Sequence, residues 1–144
     1  MKVILTVLLA TFLAANNPNA SIPRTTTNLK LAPTVYSGNC TLYKLTLVKP
    51  NKKKYTPVKT AFAKVVIDKS SKRFTFFFDG KQVGSWSSFD SYVDNQQGGE
   101  GFTMDYEWSA HRFTAERTFN IYNSGRSYGG ELGYEYEITN YKVN

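Results

Sequence analysis

Cys40 and His111 are the one thiol and the one imidazole in a chain of 144 residues. A single Cys excludes an intrachain disulfide framework and a Cys-rich zinc site, and a single His excludes multi-His metal centres, so no metal ligands are assigned. A Cys40 and His111 dyad would need the thiol beside the base in an electropositive niche, and nothing in the sequence brings the two together. Asp105, Glu107, Glu116, Glu135 and Glu137 are numerous enough for a general acid and base pair, which would have to flank a cleft in unequal environments. These five alternate with apolar residues, which places them on an outward, solvated face. Ser124-Gly125 lacks the G-x-S-x-G elbow of a serine hydrolase. The glycines of Asn95-Gln96-Gln97-Gly98-Gly99-Glu100-Gly101 enter a strand, not a helix, without the Lys-Ser/Thr of a phosphate loop. The expectation is a protein that is not an enzyme and carries no cofactor.

What stands out instead is aromatic. Ten Phe, ten Tyr and two Trp make up 15% of the chain. The run Phe102 to Trp108 reads as a strand with Phe102, Met104, Tyr106 and Trp108 on one face. A turn at Ser109-Ala110 would return the chain along Arg112 to Tyr122. A two-residue loop there sets Trp108 opposite His111, Tyr106 opposite Phe113 and Phe102 opposite Arg117, so an imidazole and a guanidinium fall on an aromatic face. The last strand, Leu132 to Val143, adds Tyr134 and Tyr136. In a small barrel the set Tyr106, Trp108, His111, Arg117, Tyr134 and Tyr136 would form an aromatic wall with a cation for a small amphipathic or anionic ligand. The alternative is that the rings are core and Arg117 sits at a barrel end with its guanidinium on solvent or a Tyr hydroxyl.

Period-two alternation supplies the elements that must position these residues. Leu42 to Lys49 reads as a strand, broken at Pro50-Asn51-Lys52-Lys53-Lys54. Three adjacent Lys there read as a solvated tip, not a nucleic-acid contact. Val58 to Asp68 and Arg73 to Phe78 pair about Ser70-Ser71, setting Ile67 opposite Phe74, Val65 opposite Phe76, Ala63 opposite Phe78 and Asp68 beside Arg73. Charge and hydrophobicity agree in that register. Asp79-Gly80 is a type I′ hairpin signal, returning the chain along Lys81 to Trp86 with Val83 opposite Phe76. Ser87 to Gly101 lacks alternation and reads as a mobile flap with a short helical turn at Ser88 to Val93; Asn123 to Gly130 is a polar loop. Seven or eight hairpin-linked strands predict an all-β, antiparallel up-and-down barrel, with a β-sandwich as the alternative. The outline is similar to small calycin-type barrels in architecture alone. None of that group's sequence signatures is present, so no residue role carries over.

Met1-Lys2 followed by the apolar run Val3 to Ala15 has the form of a secretory signal peptide within residues 1–20, cleaved after Ala15 or Ala20. The run is too short for a transmembrane anchor, which needs about 20 apolar residues. One β domain over 21–144, secreted or periplasmic, is the resulting expectation, with buried Cys40 its simplest thiol state. Asn39-Cys40-Thr41 is an N-glycosylation acceptor only if the source organism uses that chemistry. Residues 21–88 carry 13 Lys and Arg against two Asp, whereas 89–144 carry four basic and nine acidic residues. A basic first half suits an anionic partner such as a membrane surface or polysaccharide, or else pairs internally with the acidic half. Two function classes remain: a barrel holding a small-molecule ligand, and an inhibitor- or effector-like module contacting a protein partner through the loops Ser87 to Gly101 and Asn123 to Gly130. Ligand identity and oligomeric state stay open.

Overall fold

A computed structural model of the chain describes residues 31–49, 52–124 and 131–144. The expected leader, the tail up to residue 30, the Pro50-Asn51 break and most of the 123–130 loop therefore lie outside the described residues. Among the described residues, nine antiparallel strands form a strongly curled half-barrel sheet, consistent with an up-and-down barrel. They are β1 (Thr34–Lys49), β2 (Lys52–Asp68), β3 (Arg73–Phe78), β4 (Lys81–Trp86), β5 (Asp90–Asp94), β6 (Gly99–Thr103), β7 (Trp108–Phe113), β8 (Thr118–Asn123) and β9 (Glu131–Val143). Strand order is β4-β3-β2-β1-β9-β8-β7-β6-β5. Every strand pairs with its neighbours in sequence except β4 with β5, and β1 pairs with β9. The meander is thus joined at its two terminal strands and open between β4 and β5.

The inward face obeys the alternation that the sequence implies. Cys40, Val65, Phe74, Phe76, Phe119, Ile121 and Ile138 are fully buried, with Phe102 nearly so. Their rings interlock across the open side: Phe74 meets Phe102 at 5.7 Å and Phe119 at 6.3 Å, and Phe102 stacks on Phe119 at 5.9 Å. Ring pairs of this geometry add to the burial of apolar area that drives the sheet to curl. The β2 to β3 register is the one expected, Ala63 with Phe78 through Asp68 with Arg73. The β3 to β4 register starts as expected at Asp79-Gly80, then shifts at a bulge, so that Phe76 faces Gly84 and not Val83. Gly84 is where the Trp86 ring lies; a Cβ there would sit 2.2 Å from it.

Four expectations are corrected. The run 102–108 is not one strand, because Asp105 Oδ1 accepts the backbone N–H of Glu107 (2.8 Å) and Trp108 (2.7 Å) and turns the chain. β6 therefore pairs with β7 as Phe102 with Ala110 and Gly101 with His111, and Ser109-Ala110 lies inside β7, not in a turn. Arg112 to Tyr122 is likewise two strands, divided by a turn at Thr114 to Arg117 that reverses which residues point inward. Ser87 to Gly101 is no flap and has no helical turn: it holds β5 and the start of β6, paired Asp90 with Thr103 through Asp94 with Gly99. Lys52 to Lys54 belong to β2, so the hairpin runs further than the Lys-rich turn implied. Asp residues open each of four hairpin turns. Asp68 and Asp94 accept backbone amides two and three residues on, as Asp105 does, while Asp79 precedes Gly80.

Candidate functional site

The six residues expected to form one aromatic and cationic wall are divided by the fold. Trp108 and Tyr136 point inward, half-buried, with Trp108 5.1 Å from Trp86 and stacked on Tyr136 at 6.4 Å. Tyr106 lies in the Asp105 turn with 79% of its surface exposed. Tyr134 is exposed. His111 points to the outer face, because its neighbour Ala110 is in the core and adjacent strand residues face opposite ways. There it stacks on Phe113 at 4.2 Å, lies 3.8 Å from Asp94 Oδ2, and its buried Nε2 has no hydrogen-bond partner. Arg117 sits in the turn before β8. Its Nε and one terminal nitrogen donate to the carbonyl of Tyr141 at 3.1 and 2.7 Å, while its own carbonyl accepts the Tyr141 N–H at 3.0 Å. Arg117 is thus a clamp from the β7–β8 turn onto β9, and it faces no interior ligand.

The inward cation is Arg112, which the sequence pattern did not reveal because the turn expected at Ser109-Ala110 would have changed the parity before it, whereas the strand runs on to Phe113. Its guanidinium lies over the Tyr36 ring at 5.5 Å, donates to Tyr141 Oη at 3.4 Å and to Glu100 Oε2 at 3.3 Å. Lys69, in the β2–β3 turn, reaches the other oxygen of Glu100 at 2.5 Å. Lys69, Glu100 and Arg112 therefore bridge the open side from the β2–β3 turn to β6 and β7, with Trp86 Nε1 donating to Asp105 Oδ2 at 2.9 Å as a second tie.

The Cys40 and His111 dyad does not assemble: the residues lie on opposite faces with β9 and β8 between their strands. Burial pushes the Cys40 thiol up to about 12, with the Glu137 charge adding to it, so it is no nucleophile at neutral pH. Of the five carboxylates, Glu135 departs from the solvated face expected of it. It is 6% exposed between Tyr43 and Tyr122, accepting the Asn120 amide N–H at 2.9 Å, and burial followed by the Glu137 charge raises its pKa. Glu116 and Glu137 share an outer concavity of about 250 Å³ with Phe113, Thr118 and Asn120.

Leu47, Val48, Tyr55, Val58 and Phe62, all exposed, lie on the β1–β2 hairpin. β3 pairs with β2 only from Ala63 onward, so residues 52–62 of β2 have β1 as their one strand neighbour. At roughly 3.3 Å per residue β2 runs about 30 Å past β3, while β9 accompanies β1 as far as Thr46, so that both strands stand alone only from Leu47 to Lys53. Residues Lys52 to Thr60 are all exposed, as are Leu47, Val48 and Lys49. Residues 44–59 contain six Lys and no carboxylate. Among the described residues no helix is long and apolar enough to cross a membrane. No protein-family model, curated protein or solved structure matches this chain.

Proposed function

We propose that the chain is an exported, non-enzymatic β-barrel module that acts through its outer surface, meeting its partner with the projecting β1–β2 hairpin. The observation that carries this reading is the filled interior. Phe74, Phe76, Phe102 and Phe119 occupy the space a small ligand would need, each at 1% exposure or less. The hairpin, by contrast, leaves Leu47, Val48, Tyr55 and Val58 about half exposed, which a monomer gains nothing from. Native mass spectrometry of the protein purified without denaturant should give the bare polypeptide mass or a stoichiometric complex. A retained molecule of a few hundred daltons would favour a ligand barrel instead.

That second reading has one specific support. Trp86, Trp108 and Tyr136 are half-buried at one end of the core, a shelf on which a flat or apolar ligand could stack. Quenching of tryptophan fluorescence by a candidate ligand, lost in Trp108→Leu, would favour a ligand on that shelf.

A further inference from the structure

We infer that the tip of the β1–β2 hairpin docks on an anionic lipid surface, an assignment that rests on the outer-surface reading above and names its partner. Two properties coincide at the tip, and each restricts the class of partner. Lys49, Lys52 and Lys54 are exposed there with no acidic residue between positions 44 and 59, whereas the lysines nearer the barrel, Lys59 and Lys69, are paired with Asp79 and Glu100. Charge complementarity therefore calls for an anionic partner.

The same segment exposes Leu47 at 47%, Val48 at 54%, Tyr55 at 50% and Val58 at 56%. Leu47, paired with Lys53, shares a face with Tyr55, and Val48 is the extra residue of a bulge between Leu47 and Lys49. Entry of the hairpin end-on into the headgroup region covers these side chains together, and the long stems of the lysines let their ammonium groups stay at phosphate level. A soluble polyanion such as a nucleic acid or sulfated polysaccharide would use the lysines but not the leucine and valines. The edge of β2 is itself poorly suited to receiving another strand, since Pro57 lacks an N–H and charged Lys side chains line it.

The test is co-sedimentation of the protein with unilamellar vesicles of mixed phosphatidylglycerol and phosphatidylcholine, with pure phosphatidylcholine as the neutral comparison. Binding to the anionic vesicles alone, weakened by added salt, is expected. Replacing Lys49, Lys52 and Lys54 by Ser together should weaken it roughly 100-fold, at about one kcal/mol per Lys near the surface. Lys53 is left in place because its charge acts on Glu135. Replacing Leu47 and Val48 by Ser should weaken it at least about tenfold with the charge unchanged. Both sets are exposed, so the melting temperature should hold and report that the variants fold.

Binding to dextran sulfate as tight as to vesicles, indifferent to the Leu47 and Val48 changes, would overturn the lipid assignment in favour of a soluble polyanion. No vesicle binding by the folded wild type would overturn it as well. If, in that case, the hairpin substitutions still dissolve a stoichiometric complex seen by native mass spectrometry, the outer-surface function stands and only the lipid partner falls.

Discussion

Glu135 is buried beside two tyrosines and the Glu137 charge, and that environment favours its protonated form. Its folded pKa lies above the unfolded value, so between the two the folded state binds more protons. The stability it contributes is therefore full at low pH and is lost as pH rises through its folded pKa. Glu135→Gln keeps an acceptor for the Asn120 amide and removes the charge. Thermal melts across the acid-to-neutral range should show the variant gaining on the wild type as pH rises; a constant difference would refute the assignment. The exposed turn carboxylates work in the opposite sense. Asp68 is held well below the usual range by bonds from Ser70 and Ser71, and Asp79 by Lys59, so their contribution is present above the ordinary Asp pKa and lost on acidification. Cys40, fully buried, should resist a thiol reagent until the protein unfolds. Cys40→Ser should cost about 1 to 3 kcal/mol in denaturant titration, because its hydroxyl would enter the core without a partner.

At the scale of elements, close approach and turn geometry decide which substitutions matter. A Cβ on Gly99 would lie 2.0 Å from the Arg112 carbonyl oxygen in the adjacent strand, whereas one on Gly101 would meet the Tyr92 ring at 2.1 Å. Backbone cannot retreat, but the half-exposed Tyr92 can swing away. Gly99→Ala should therefore cost roughly 3 kcal/mol and Gly101→Ala about 1 kcal/mol or less, read from chemical denaturation of both variants. Arg117 adopts φ 52° in its turn, the left-handed region that favours glycine. Arg117→Met loses the bonds to Tyr141 and keeps the strained backbone, at roughly 1 to 3 kcal/mol. Arg117→Gly loses the same bonds but recovers about 1 kcal/mol of strain. The Gly variant should melt above the Met variant, and the reverse order would show that backbone strain at this position is not what separates them; a Met variant as stable as the wild type would show that the guanidinium is not the clamp described.

For the molecule as a whole, the open side between β4 and β5 is held by side chains in place of a ladder. Glu100 joins Lys69 to Arg112 there, and Arg112 is half-buried against Tyr36 and Tyr141. Glu100→Gln should destabilise by roughly 1 to 3 kcal/mol, since the guanidinium keeps its place in the core and loses its charge partner. Hydrogen exchange should show β4 and β5 opening first in that variant. The hairpin beyond β3 behaves differently: its exposed residues contribute little to the core, so replacing 47–53 by a tight Asn-Gly turn should leave the melting temperature within a few degrees. A large drop would mean that the hairpin is structural and not a contact device.

Composition and alternation were enough to establish an all-β meander, the β2–β3 register and the inward positions of Val65, Phe74, Phe76 and Ile138, because a buried face imposes a period of two on each strand wherever it lies. Two turns beyond residue 102 that lack Gly and Pro left no such mark. Asp105-Tyr106-Glu107 continues the alternation through a bend made by one carboxylate oxygen, and Thr114 to Arg117 bends on a left-handed arginine. The Asp105 bend keeps the parity, so Phe102, Trp108, Ala110 and Arg112 all point inward; the change expected at Ser109-Ala110 comes only at Thr114 to Arg117, ahead of Phe119 and Ile121, which leaves His111 on the outer face and Arg112 inside. At the first bend Asp105 was the available signal, since its side chain can accept the amides two and three residues on; the second has no Asp. Whether the aromatic face encloses a ligand or fills itself depends on how tightly the sheet curls. That curl is set by ring packing between strands distant in sequence, such as Phe74 with Phe102 and Phe119, and no local pattern encodes it.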